Sequence, residues 1–360
     1  MLKGRLQTSV RVRPKDMKKT TPADKTGKRR LLSDRGLLHC LAGATAVITF
    51  FMALSGCWEN HQGLKKVNVR LGWQVNANSA GQIAALEEGF YQQAGLDVIL
   101  RPGGLADPSV KTVGGGEDLI GFANGPDLVI NAVAAGAPLK IVAVIQQQSY
   151  HGFFVRKDSN IKSPKDWSGR RVGVKYASPT YLLYQVLLAQ EGVDPSTVTE
   201  VPLQYGLQPF LAGDIDVYPG AITNEAISIE RQGIPLRIIH PADYGIETCG
   251  NVIFSTQDVI DGSPELIASF VEATMRGWRW CLDESNEERT LDYLQKHSPS
   301  LDREKEREAL RLNASLVQHP RGIGHVDMEK LGRILAYMRE FGVLNVSINP
   351  QDICTKTFTE

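Results

Sequence analysis

Residues 67–100 read VNVRLGWQVNANSAGQIAALEEGFYQQAGLDVIL, and the order of patterns within them decides the fold. Residues 67–73 alternate toward an apolar run and predict a strand. Ser79 is placed to cap a helix over 80–94, where Ile83, Leu86, Phe90 and Tyr91 recur at helical spacing and Gly95 supplies the stop. Residues 96–100 predict a second strand. Strand, helix and strand in that order imply a right-handed parallel unit of an α/β domain.

The pattern continues outward. Residues 119–123 predict a short strand, 127–135 a helix closed by Gly136, and 139–146 a strand. Residues 153–156 and 171–175 predict strands, 181–191 an amphipathic helix and 198–202 a strand, with two more at 216–218 and 236–239. From 263 to 341 the chain is mostly helical, with Pro264 at a first-turn position and Trp278 and Trp280 in a long apolar-faced helix. No repeat of solenoid length is present.

The 360 residues suffice for two lobes with separate cores. The formal net charge of zero hides an asymmetry, because residues 1–57 carry twelve Lys or Arg against three Asp and the remainder carries 28 basic against 37 acidic residues. A mildly acidic body argues against a nucleic-acid partner, which requires clustered cationic surface. The five cysteines have no CxxC or Cys/His ligand spacing, so no metal site is expected. With Cys40 removed and Cys57 modified, three thiols remain, and no disulfide is predicted among them.

Residues 1–36 are polar and basic and residues 37–54 are mainly apolar, the order of an export signal. The stretch ends in Leu54-Ser55-Gly56-Cys57, which looks like a bacterial lipobox, with cleavage before Cys57 and lipidation (diacylglycerol, palmitate) making it a membrane anchor. An uncleaved signal anchor is the alternative, since about 18 apolar residues also span a bilayer. The basic region is long for a signal peptide, and Met17-Lys18-Lys19 offers a second start. Arg29-Arg30 is a weak twin-arginine feature. Residues 1–57 are thus read as a lipoprotein signal peptide and 58–66 as a tether.

Two places in the body have the makings of a ligand site. Ser178-Pro179-Thr180, after the strand at 171–175, is a helix start with free amide groups, or equally an ordinary capped helix. Asn76, Asn78 and Ser79 follow the first strand, at the carboxyl end where open α/β sheets bind ligands.

A series of ordered segments runs along the body. It comprises Trp73 with Asn76 and Gly81; Glu88-Gly89-Phe90-Tyr91; Ala94-Gly95-Leu96-Asp97-Val98; Arg101-Pro102-Gly103-Gly104; and Asp107-Pro108. It continues through Ala135-Gly136-Ala137-Pro138-Leu139-Lys140, Asp158-Ser159, Ile161-Lys162-Ser163-Pro164-Lys165-Asp166 and residues 170–174. Thr223-Asn224-Glu225, Asp243-Tyr244-Gly245 and Gly250-Asn251-Val252 complete it. In order and spacing these segments, covering about residues 67–345, resemble the thiamine-pyrimidine-synthesis-like family of ABC-transporter solute-binding proteins, related to alkanesulfonate-, taurine- and nitrate-binding proteins.

The resemblance implies a two-lobed α/β periplasmic-binding-protein-like fold of type 2, with the ligand cleft between lobes and two crossover hinges. The crossings are expected near 146–152 and 239–244, which assigns 67–148 and 244–360 to lobe one and 149–243 to lobe two. Ligand contacts made to both lobes at once drive closure, so candidates come from each. From lobe one these are Trp73 as a stacking face or else a core residue, Asn76, Asn78 and Asn124. From lobe two they are Tyr176, Ser178, Thr180 and Glu225, whose carboxylate is either a surface charge or an acceptor for a heterocycle's amino group. Gln147, Gln148 and Tyr150 at the first crossing, and Asp243 and Tyr244 at the second, orient ligand or satisfy the hinge backbone.

The function implied is that of a monomeric, exported membrane lipoprotein working with an ABC permease and its ATPase subunit. It would need no cofactor. Its cargo would be a thiamine pyrimidine precursor, with a riboflavin-like compound, an alkanesulfonate or nitrate as alternatives. Lys175 keeps an anion in view. A sensor would use the same cleft without transport. A eukaryotic branch of the resemblance makes the pyrimidine from pyridoxal phosphate, but this chain has Ser79 where a histidine is common and only Cys249 in place of a cysteine cluster. No Ser/His/Asp set, P-loop or HExxH motif supports catalysis.

Overall fold

The opening unit forms as β1 (Lys65–Arg70), a helix Ala80–Glu87, a short helix Phe90–Gln93 and β2 (Leu96–Arg101), with β1 and β2 parallel. The computed structural model describes residues 63–359 apart from Leu105, Asp107, Ala177 and Tyr205, so the expected signal peptide and Cys57 lie outside the described residues. Lys65 and Lys66 already pair with Leu96 and Asp97, which takes them from the expected tether into the sheet. Two details of the helix differ from expectation. Ser79 holds the N-cap position as expected, but its side chain caps no amide of the helix; instead it closes a capping box on the preceding 3-10 turn Ala77–Ser79, where the Asn76 side chain accepts from the Asn78 amide at 2.9 Å and the Ser79 hydroxyl accepts from the Asn76 amide at 3.3 Å. The helix also breaks at Gly89, whose φ of 70° is the left-handed region that glycine enters at no steric cost.

β3 (Ile120–Ala123) and β4 (Leu139–Val144) follow, then β5 (His151–Arg156), β6 (Arg171–Val174), β7 (Thr199–Pro202), β8 (Tyr218–Ala221), β9 (Leu236–Ile239) and β10 (Val252–Thr256). The first sheet runs β2-β1-β3-β10-β4, with β10 antiparallel to both neighbours. A second group holds the antiparallel sheet β8-β5-β9 and the parallel pair β6-β7, joined by a bridge between Val172 and Val217. β10 was not anticipated, because its short apolar run Val252-Ile253-Phe254 reads equally as a buried helix segment and its two partners lie more than a hundred residues earlier in the chain.

Two backbone segments connect the groups, and they pair with each other. The Ile145 amide donates to the Asn251 carbonyl at 2.8 Å, Gly250 to Gln146 at 2.9 Å and Ser149 to Thr248 at 3.0 Å. The returning segment therefore pairs at 248–251, beyond the expected 239–244. Residues Pro241–Tyr244 instead form a turn of 3-10 helix whose first amide is capped by His240.

One face of the first sheet packs on the helices Ala80–Glu87, Pro264–Cys281 and Glu287–His297, the other on Pro126–Ala134 and Met328–Glu340. The first pair of helices cross unusually closely. A Cβ on Gly277 would lie 2.1 Å from the Gly81 carbonyl oxygen, and one on Gly81 would lie 2.2 Å from the Trp278 ring. Trp278 is completely buried at this crossing. Cys249, Cys281 and Cys354 are free and buried.

Candidate functional site

The loop between β1 and the first helix forms one wall of the cleft. Arg70, at the end of β1, is buried and pairs with Asp118 at 2.8 Å and Glu117 at 2.9 Å. Beyond it, the Gly103 amide donates to the Trp73 carbonyl at 3.1 Å and the Gln74 side chain donates to the Gly103 carbonyl at 2.7 Å. A Cβ on Gly103 would sit 1.9 Å from the Leu71 carbonyl oxygen, so only glycine permits this approach, which sets the Trp73 loop. Trp73, Asn76, Asn78, Gln82 and Asn124 all line the cleft on this side.

The facing wall comes from the ends of β6 and β8. Ser178 precedes the helix Pro179–Gln190, but its side chain caps no backbone amide, and its hydroxyl meets that of Thr180 at 2.7 Å. After β8 the chain makes a single wide turn of π-helix, Ile222–Ala226, a local insertion common at functional sites. It turns Asn224 and Glu225 into the cleft. Glu225 Oε1 lies 3.2 Å from Lys175 Nζ, and Oε2 accepts from the Ala221 amide at 2.9 Å. Lys175 also sits 4.8 Å from the centre of the Tyr218 ring. The cleft has a cavity volume of about 130 Å³, within about 830 Å³ of empty space that includes its open mouth.

Buried amides tie the walls to the crossing segments. Tyr150 donates its hydroxyl to Asn251 Oδ1 at 2.8 Å, and the Asn251 amide group donates to the Asn78 carbonyl at 3.3 Å. Gln146 accepts from the Asn251 backbone at 3.0 Å and donates to Asn313 Oδ1 at 3.0 Å, while Asn313 donates to Asn78 Oδ1 at 2.9 Å. Asn313 belongs to the helix Arg303–Val317, which also reaches the second group of strands through Arg231 on Asp302 and Glu308 and through Lys305 on Asn224. Asn78, the crossing segments and this helix thus share one hydrogen-bonded network.

Seven of the nine ligand candidates from the sequence line this cleft: Trp73, Asn76, Asn78, Asn124, Ser178, Thr180 and Glu225. Tyr176 and Tyr244 do not. Tyr176 is 55% exposed, donates its hydroxyl to Glu200 at 3.0 Å and meets the edge of Tyr181. Tyr244 lies beyond the crossing and receives a bond on its carbonyl from Gln190. The sequence reading left Gln82 and His151 unassigned, although both line the cleft. Gln82 stands one turn before Leu86 on the helix's apolar stripe, and a polar residue on such a stripe was the available signal. His151 is buried, and burial first, with Lys175 and His240 nearby, pushes its pKa down to about 3, so it is neutral at physiological pH. Among the described residues no group of three or more His, Cys, Asp or Glu is placed to hold a metal ion.

Asp127 lies beside the cleft at the start of the helix Pro126–Ala134, near Pro179 of the opposite wall, and burial pushes its pKa up to about 7 despite backbone amides that favour the charge. Because the folded value is raised, its contribution to stability is complete below about pH 4 and is lost as the pH rises through 7. His151 acts oppositely, contributing above about 6.5 and losing its contribution as the pH falls toward 3. Asp127→Asn is therefore expected to raise Tm by several degrees more at pH 8 than at pH 5, read by thermal melts. Equal changes at the two values would contradict the assignment.

Two α/β sheets joined by paired crossings around a lined cleft define the periplasmic-binding-protein fold. The chain belongs to the NMT1/THI5-like family, whose pattern matches residues 76–288. It is 23% identical over 306 residues to the formylaminopyrimidine-binding protein of Halalkalibacterium halodurans, covering 81% of this chain and 92% of that one. It is 24% identical over 306 residues to the riboflavin-binding protein RibY of Chloroflexus aurantiacus, covering 82% and 86%. The periplasmic aliphatic sulphonate-binding protein of Escherichia coli superimposes with a TM-score of 0.65 at 18% identity, covering 83% and 94% and sharing the fold.

Proposed function

We propose that the chain is the solute-binding lipoprotein of an ABC importer, exported and anchored through Cys57, that captures a small uncharged heterocycle such as a thiamine pyrimidine precursor. The observation that carries the ligand class is the contact of 3.2 Å between Lys175 and Glu225, which compensates the cleft's cation and leaves amides and an aromatic face as the lining. An anion site instead keeps a cation free beside helix amides. The relatives named for a formylaminopyrimidine and for riboflavin support the same class, and the small cavity volume of about 130 Å³ favours the pyrimidine over the larger flavin. The relatives and the structural neighbour named as binding proteins support a binder over an enzyme.

A thermal-shift screen of pyrimidines, flavins, sulfonates and nitrate tests this reading. Ligand at a hundred times Kd adds about 2.7 kcal/mol, so 4-amino-5-hydroxymethyl-2-methylpyrimidine or its formylamino relative is expected to raise Tm by several degrees. A shift with sulfonate or nitrate alone would overturn the ligand class.

A further inference from the structure

We infer that Gln82 reads the amino-bearing edge of the ligand and so restricts the cleft to heterocycles that carry an N–H donor beside a ring acceptor. This rests on the heterocycle reading above and deepens it.

Gln82 lies in the first turn of the helix Ala80–Glu87, is 1% exposed and lines the cleft. Its Oε1 is fully buried and has no hydrogen-bond partner. Several other polar groups that line the cleft are engaged. Asn78 Oδ1 is taken by Asn313, Asn251 Oδ1 by Tyr150, the Asn124 amide by the Gly72 carbonyl, and both Glu225 oxygens by Lys175 and Ala221. Of the side chains lining the cleft, Gln82 is, among the described residues, the one with a buried polar atom left unpaired. Folded proteins pair nearly all such atoms, and an exception in a cleft indicates a partner supplied from outside.

The chemistry of that partner follows from the carboxamide. It offers one acceptor and one donor in a plane, the complement of an amino group beside a ring nitrogen, as when glutamine pairs with adenine. The last torsion of glutamine is soft, so the amide turns readily to the edge presented. A sulfonate or nitrate carries no donor and would leave Oε1 unpaired, whereas an aminopyrimidine satisfies it.

Calorimetric titration of the full-length wild-type protein and the Gln82→Met and Gln82→Leu variants tests this, with 4-amino-5-hydroxymethyl-2-methylpyrimidine and its counterpart with hydrogen in place of the amino group, which keeps the ring nitrogens and lacks the N–H donor, as probes. Both variants are expected to bind the amino compound at least tenfold more weakly and to lose most of the preference for it over the counterpart without the amino group. Their ligand-free Tm is expected to equal or exceed that of wild type, since a buried unpaired oxygen has been removed. Wild-type affinity in both variants would overturn the inference while leaving the heterocycle reading intact. A ligand-free Tm several degrees lower in both would assign Gln82 a structural role and overturn it too. A wild-type protein that binds neither pyrimidine would overturn the reading and the inference together.

Discussion

Glu225→Ala is expected to weaken binding of 4-amino-5-hydroxymethyl-2-methylpyrimidine at least tenfold, about 1.4 kcal/mol, and to create measurable affinity for methanesulfonate. Both effects come from one contact. Glu225 holds Lys175 at 3.2 Å in a site where the two side chains are only 20% and 15% exposed, so its removal leaves a largely desolvated ammonium facing the cleft. A cation freed in that position attracts an anion, and the heterocycle loses a carboxylate whose oxygens, beyond their bonds to Lys175 and Ala221, each keep a second lone pair for its N–H groups. Trp73→Ala removes the aromatic face of the opposite wall and is expected to cost a similar factor without the gain for sulfonate. Unchanged affinity for the pyrimidine in both variants would remove the site assignment.

Gly277→Ala is expected to lower Tm by several degrees, although alanine is the better helix former by about 0.8–1.0 kcal/mol. The added Cβ would lie 2.1 Å from the backbone oxygen of Gly81 and 2.8 Å from the Ala85 Cβ, and a backbone atom held by its own helix does not swing aside. Overpacking of this kind costs roughly 1–3 kcal/mol, which exceeds the propensity gain. Gly277→Val should be worse, and because the displaced helix Ala80–Glu87 carries Gln82, ligand affinity should fall with stability. Thermal melts and urea titrations read the first effect, calorimetry the second. A Gly277→Ala protein more stable than wild type would show that the helices are not in contact there.

The strand, helix and strand at the start of the body were legible because each has a local period, and the same holds for the helix Pro179–Gln190 and the helical region from Pro264 onward. What local pattern does not carry was missed. The break at Gly89 leaves the apolar stripe in phase on both sides, so spacing alone does not reveal it. β10 is defined by partners distant in sequence. The carboxyl-end loop holding Trp73, Asn76 and Asn78 was read from the position of ligand sites in open sheets, and Glu225 from a family-like segment. Tyr176 and Tyr244 fall outside the lining of the cleft, because proximity in sequence to a cleft segment says nothing of side-chain direction. The pairing of Lys175 with Glu225 spans fifty residues, so the sequence showed two charges where the fold holds a compensated pair.

The claim that the cleft selects an uncharged heterocycle over an oxyanion is tested most directly by calorimetric titration of the wild-type protein, in parallel, with 4-amino-5-hydroxymethyl-2-methylpyrimidine and methanesulfonate. Saturable one-to-one binding of the pyrimidine with no heat from the sulfonate is the predicted result. Saturable binding of the sulfonate with none of the pyrimidine would contradict it.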